Sequence, residues 1–370
     1  MQNLIEGLND KQKEAVLATE GPCLVIAGAG SGKTKVLTHK IAYLISEKNV
    51  KPYNILAITF TNKAASEMKQ RVEKIVGDVA QEMWMGTFHS ICVRILRRFI
   101  DRIGFDTSFL IFDTSDQKTV VKECLKALNI DDKTFSDRSV LSEISNAKNE
   151  MLTPKAYQAK YSGEFRKEKI GQVYELYQKR LRENNAIDFD DIINYTIDIL
   201  SENPDVLQYY TEKFKYVLVD EYQDTNKAQF TLVTILASRY GNITVVGDND
   251  QGIYSFRGAD ISNILNFEKD FPGTKIIKLE QNYRCTGNIL KAANAVIKHN
   301  ENKYEKKLWT ENEDGSLPCL YQAEDEYDEA NYVVKQIEHL KTEEYLKPKD
   351  FVILYRMNAQ SRAIEDILRR

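Results

Sequence analysis

The sequence predicts an α/β fold: a parallel sheet covered by helices, interrupted by a helical insertion and followed by the start of a second sheet. Three observations predict it. Short apolar runs recur, each followed by a turn and then a segment with helical spacing, which is how parallel sheets covered by helices are written. The carboxyl end of each apolar run leads into a polar or Gly-rich segment, where doubly wound sheets place their ligands. A length of 370 residues exceeds one ordinary hydrophobic core and leaves room for two or three domains.

Taken in chain order, the candidate strands are residues 23–27, 55–60, 83–87, 216–219, 243–247 and 275–279. Between about Asp113 and Glu183 the strand signal lapses and helical patterns dominate, clearest at 115–128 and 167–183. Because the strand pattern resumes at Tyr216, this stretch reads as an insertion. A second set is expected from Lys275, with strands 275–279, 319–322 and 351–355 and helices 288–298, 327–341 and 359–370. It stops inside a helix at Arg369-Arg370 with no C-cap, which suggests an incomplete second domain. The expected division is therefore 1–112 and 188–274 in a first lobe, 113–187 in the insertion, and 275–370 in a partial second lobe.

Composition narrows the functional classes. Hydrophobic content of 42%, charged content of 29% and only seven prolines describe an ordinary globular chain, not a disordered one. A net charge of −4 argues against non-specific coating of nucleic acid and confines any polynucleotide site to a local groove. Five cysteines without a CxxC pair suit free thiols in a reducing compartment. No leader-like start and no apolar run near the roughly 20 residues needed to cross a bilayer are present. A cytoplasmic protein without a membrane partner is the expectation.

The most informative segment is Ala27-Gly28-Ala29-Gly30-Ser31-Gly32-Lys33-Thr34, between an apolar strand and a helix spanning 33–46. Glycines there let backbone N–H groups turn inward, and the helix N-terminus adds a positive dipole end, so a polyphosphate is held mostly by main chain. Lys33 is expected to reach the β- and γ-phosphates and Thr34 to offer its hydroxyl to Mg²⁺. Ala27 stands where the general pattern has Gly. The strand 216–219 ends in the paired carboxylates Asp220 and Glu221. Alone, such a pair is more often a solvated turn. Beside a phosphate loop it reads as an acidic box, with Asp220 on the ion and Glu221 polarising the attacking water. The pair of motifs points to an ATPase or GTPase.

Several blocks resemble superfamily 1 DNA helicases of the UvrD, Rep and PcrA type, the PcrA type above all. They are 8–12 (LNDKQ), 59–65 (TFTNKAA), 86–90 (GTFHS), 219–224 (VDEYQD), 246–259 (VGDNDQGIYSFRGA) and 281–284 (QNYR), in family order along the chain. The resemblance implies two RecA-like P-loop NTPase lobes with Mg-ATP between them, moving 3′ to 5′ along single-stranded DNA. It assigns Gln12 to the adenine edge and Tyr283 to stacking on the ring, with Lys35 where relatives often carry Arg against the other face. Gln251 would sense the γ-phosphate and the attacking water. Arg284 would reach across from the second lobe as an arginine finger.

Single-strand binding needs aromatic faces for bases and polar or basic groups for phosphates. By resemblance, Phe60, Phe189, Tyr254 and Phe256 match stacking positions, and Thr61, Asn62, His89, Arg257, Arg356 and Asn358 match positions facing the strand. Phe256 replaces the tryptophan usual in relatives. Each aromatic could equally be core, and the acidic neighbours of Phe189 are odd for a DNA face. Lys148, Arg166, Lys167 and Lys169 of the insertion could meet duplex phosphates or simply form a solvated face.

Full-length relatives continue well past position 370, so the chain is expected to be an N-terminal portion that binds ATP better than it turns it over and does not unwind. The family implies single-strand/duplex junctions as substrates, and repair, replication-initiator or transcription proteins as partners. A nucleotide-dependent DNA- or partner-binding module without productive turnover stays open as a second reading; against a third, a kinase or GTPase sharing the phosphate loop, stand Gln12, the paired Asp220-Glu221 and the block from Gln251 to Arg257.

Overall fold

The computed structural model describes residues 4–255, 258–300 and 304–369. Its centre is a six-stranded, wholly parallel sheet of β1 (Cys23–Ala27), β2 (Ile55–Thr59), β3 (Trp84–Thr87), β6 (Tyr216–Val219), β7 (Ile243–Gly247) and β8 (Lys275–Leu279), in the spatial order β3-β2-β6-β7-β1-β8. Two short strands, β4 (Leu110–Ile111) and β5 (Ala186–Ile187), pair separately. Alternate residues of the sheet serve two cores. Leu24, Ile26, Leu56 and Ile58 pack on one face, while Val25, Ala27, Ile55 and Ala57 pack on the other. With both faces covered, every position of β1 and β2 is buried, as expected for parallel strands in an α/β layer.

The chain leaves the sheet layer at β4 and returns at β5. Between them lie helices Thr114–Ala127, Asp137–Asn149, Pro154–Lys160 and Phe165–Glu183, with a core of their own that includes Val121, Ile144, Val173 and Tyr177. Asp113 starts the first helix by accepting from the amides of Ser115 and Asp116.

The second set of strands expected from Lys275 is corrected on two counts. Lys275–Leu279 is the sixth strand of the central sheet, in register with β1 from Cys23↔Lys275 to Ala27↔Leu279; the sequence shows that a strand exists but not which neighbour it joins. Residues 319–322 and 351–355 are not strands. The chain divides into two compact units, Met1–Asp314 and Gly315–Arg370. In the second, helices Glu326–Glu343 and Ser361–Leu368 form, but Leu320 and Leu354 are 95% and 87% exposed. An apolar alternation becomes a strand only when a partner takes up its backbone hydrogen bonds.

Candidate active site

Apart from the block 8–12, which opens the helix Asp10–Leu17, the sequence-predicted blocks within the first unit fall at the carboxyl ends of parallel strands. The turn after β1 carries the glycine-rich loop. Gly30 and Gly32 have φ of 69° and 90°, the left-handed region that favours glycine. A Cβ on Gly30 would lie 2.7 Å from the Arg284 Cβ, and one on Gly32 would lie 2.7 Å from the Gln12 Nε2, so close approach also demands glycine. The Ser31 hydroxyl donates to the Gly28 carbonyl at 2.7 Å. Ala27 ends β1, fully buried. Gly32 caps the helix Lys33–Ser46 and offers no side chain to its first amides, which leaves them turned toward the loop.

Lys33 projects from that loop and pairs with Glu221 at 2.8 Å, with the Gln251 Oε1 3.3 Å away. Glu221 sits at φ 50°, and its N–H donates to the Asp220 Oδ1 at 3.0 Å. Asp220 is buried. Burial first, and then the Glu221 charge, push its carboxyl up to about 6, while Lys33 and a hydrogen bond with Thr34 pull the other way. Thr34 and Asp220 thus bring a hydroxyl and a carboxylate together, hard oxygen donors of the kind Mg²⁺ takes. Glycines crowded by neighbours, an uncapped helix start, a lysine and this oxygen pair fit a polyphosphate with a divalent cation.

A second cluster lies at the other side of the loop. Gln12 is buried, donating to the Ser31 carbonyl at 2.9 Å, and Asn9 caps its helix. The Asn9 amide also donates to the Tyr283 hydroxyl at 2.8 Å, and the Tyr283 N–H donates to the Gly30 carbonyl at 3.0 Å. Half the Tyr283 ring is exposed, so Gln12 and Tyr283 flank the loop as a base site requires. Lys35 instead donates to the Gly7 carbonyl at 2.8 Å. Arg284 lies in the same compact unit as the loop, on the segment leaving β8. Asn282 holds that segment: it donates to the Ala29 carbonyl at 2.7 Å and accepts from the Arg284 and Cys285 amides.

From the phosphate side a cleft of about 810 Å³ runs onward, lined at one end by Thr34, Asp220 and Glu221 and further along by Phe60, Thr61, His89, Phe189 and Tyr254. Phe60 is partly buried edge-on against Phe88. Phe189 is 49% exposed and meets the His89 ring edge-on at 5.9 Å. Burial lowers the His89 pKa, so its ring is neutral at pH 7, a hydrogen-bonding group and not a phosphate-pairing cation. Thr61 caps the helix Asn62–Val76, and both Thr61 and Asn62 are exposed. Phe256 and Arg257 lie outside the described residues, and Arg356 and Asn358 are exposed positions of the second unit.

Sequence reasoning missed Gln223. Its amide donates to Glu221 at 2.9 Å and to Asp224 at 3.3 Å, and its carbonyl accepts from the Asp248 amide at 3.0 Å. It therefore ties the loops after β6 and β7 together. Asp224 lines the same cleft, and burial followed by the Glu221 charge raises its carboxyl to about 6. Lys148 is corrected: it is not a surface cation for DNA but 1% exposed and locked between Asp188 and Asp191. Lys167 pairs with Glu143 at 2.5 Å, and Arg166 donates to the Thr134 carbonyl and Ser139.

Among known proteins, the UvrD/REP helicase N-terminal domain family matches residues 8–272, and the UvrD-like helicase C-terminal domain family matches residues 277–370. The chain is 56% identical over 367 residues to the ATP-dependent DNA helicase PcrA of Staphylococcus epidermidis, covering 99% of this chain and 50% of that protein. It is 54% identical over 365 residues to the protein of the same name from Bacillus subtilis, covering 99% and 49% respectively. The chain thus spans about half the length of the curated relatives it matches. On the matched domains and these identities, the chain belongs to the UvrD/PcrA-type superfamily 1 DNA helicases, an ATP-dependent enzyme family.

Proposed function

We propose that this chain binds Mg-ATP between the glycine-rich loop and the Tyr283–Arg284 segment, and that hydrolysis drives movement along single-stranded DNA held in the adjoining cleft. The observation that carries this reading is the continuity of that cleft, from Thr34, Asp220 and Glu221 to Phe60, His89, Phe189 and Tyr254. Lys33 leaves Glu221 for the β- and γ-phosphates, and the freed carboxylate becomes the base that polarises water. Thr34 and Asp220 hold Mg²⁺, Gln251 reads the γ-phosphate, and Arg284 stabilises charge in the transition state. Gln12 and Tyr283 hold the adenine. Phe189 and Tyr254 offer faces to bases.

By family likeness the direction is 3′ to 5′, the substrates are single strands and their junctions with duplex, and the setting is repair or replication. Because relatives are about twice as long, these 370 residues by themselves are expected to bind ATP, to hydrolyse it slowly and not to unwind. The test measures ATP affinity and hydrolysis, with and without a single-stranded oligonucleotide, for this chain and for Lys33→Ala. Losing a charged hydrogen-bond donor to phosphate costs about 1.5–3 kcal/mol, roughly 10- to 150-fold in affinity. Unchanged ATP binding in Lys33→Ala would sink the proposal, and vigorous unwinding by these residues alone would sink its second part.

A further inference from the structure

A strap running from Tyr304 to Trp309 crosses three of the segments that build the nucleotide site. At its start the Lys306 ammonium pairs with Asp248 at 2.6 Å and with Asp250, and donates to the Asn249 Oδ1 at 3.1 Å. In its middle, Leu308 presses on Gly28 so closely that a Cβ there would lie 2.3 Å from the leucine Cδ2. At its end the Trp309 carbonyl accepts from the Asn282 amide at 2.7 Å, and the Trp309 N–H donates to the Glu280 carbonyl at 3.0 Å.

Lys306 is the unusual member. Its side chain is 4% exposed, and those of Asp248 and Asp250 are 3% and 7% exposed. Such an arrangement adds little net stability, because desolvation offsets most of the attraction. It does fix geometry: one ammonium spends its donors on three consecutive side chains, 248 to 250. The next residue is Gln251, whose amide donates to the Asp248 carbonyl at 3.0 Å and whose side chain reaches Lys33. The turn is held from its other side by Gln223.

We propose that Lys306 is a positioning residue for γ-phosphate recognition: it clamps the turn after β7 so that Gln251 faces Lys33 and the terminal phosphate, without touching nucleotide itself. The inference rests on the reading of Gln251 given above. It predicts a specific defect, loss of the preference for triphosphate over diphosphate, because ADP has nothing for Gln251 to read.

The test measures binding of a non-hydrolysable ATP analogue and of ADP, both with Mg²⁺, to the native chain, Gln251→Ala, Lys306→Met, Lys306→Arg and the Gln251→Ala/Lys306→Met double variant. Lys306→Met should lower the ATP-to-ADP affinity ratio about tenfold, the scale of losing a group that orients a direct contact, with ADP affinity preserved. Lys306→Arg should keep most of the ratio, and the double variant should fall no further than the larger single effect. Should Lys306→Met not fold, Asp250→Asn takes its place and should lower the ratio by less. A native ratio in the folded variant, or equal loss of both nucleotides, overturns the inference while leaving the ATP site intact. A native ratio in Gln251→Ala brings down the reading of Gln251 and this inference with it.

Discussion

Two lysine–carboxylate clusters reach the same cleft, one through Glu221 and the other through Lys148, and they are built in opposite ways. At the phosphate loop, Lys33 and Glu221 meet at 2.8 Å with side chains 12% and 39% exposed. At the far end, Lys148 meets Asp188 at 2.6 Å and Asp191 at 2.7 Å with all three sealed at 4% or less, and the Tyr177 hydroxyl donates to Asp188 at 2.9 Å. The open pair can be exchanged: a phosphate can take the place of a half-exposed carboxylate at little cost in desolvation. The sealed cluster cannot, since a buried ammonium without its partners is prohibitively expensive. Its work is architectural. Lys148 comes from the insertion, whereas Asp188 and Asp191 form the capping box of the helix Phe189–Glu202. One buried knot therefore joins the insertion to the sheet layer and sets where the exposed Phe189 ring stands.

Removing the two lysines separates these roles. Lys148→Met leaves two buried carboxylates without their cation and should cost about 3–5 kcal/mol of unfolding free energy, the scale for breaking one side of a buried pair. Lys33→Met should cost less, about 1 kcal/mol by the same measure, because its carboxylate partner is partly solvated. Urea titration of both variants reads the difference; comparable losses would dissolve the contrast.

Protonation sharpens it next. For Lys148, burial alone would lower the pKa, but the Asp188 and then the Asp191 charges raise it well above its ordinary value. Burial would likewise raise Asp188, yet Lys148 holds it below. Asp191 goes the other way, pushed up to about 7 by burial and then by Asp188. Between its unfolded value near 3.9 and about 7, folded Asp191 keeps a proton that the unfolded chain releases, so its contribution to stability falls as pH rises through that window. Asp188, being lowered, loses its contribution only as pH falls below the ordinary carboxylate range. Asp191→Asn should thus gain on the native chain between pH 4 and 7, by up to about 1.4 kcal/mol per pH unit at the steepest. A stability difference that stays flat across that range contradicts the assignment.

The same contrast explains what could be read in advance. The glycine-rich loop, the Asp220-Glu221 pair and the strands at 23–27, 216–219 and 243–247 are local: a few adjacent residues specify both conformation and chemistry, and the structure places them at neighbouring strand ends. Sheet membership is not local. Lys275–Leu279 reads correctly as a strand, but nothing within it says that it pairs with β1. Nor does 319–322 reveal whether a partner takes up its backbone groups. Lysines are the hardest case. Lys148 and Lys306 look like solvated cations because the carboxylates that bury them lie some 40 and 56 residues away in the chain, and Gln223 is mute until the loop after β7 folds against it.

A third buried lysine gives the smallest and most discriminating check. Lys40, on the helix that follows the phosphate loop, is 1% exposed and donates to the Ala18 carbonyl; among the described residues no carboxylate pairs with it. Burial lowers its pKa, the reverse of Lys148, because the weaker pulls of Cys23 and Glu20 do not repay the lost hydration. The unfolded chain therefore holds this proton more tightly than the folded one. The penalty is complete below the folded pKa and disappears as pH rises toward the unfolded value of about 10.4. Lys40→Met should stabilise the protein by about 1 kcal/mol at pH 7, as apolar replacement of an ill-compensated buried charge does, and the gain should shrink toward pH 10. A destabilised variant, or a gain that does not depend on pH, would mean that a carbonyl alone suffices for a buried ammonium, and that the carboxylates around Lys148 are not what makes its burial tolerable.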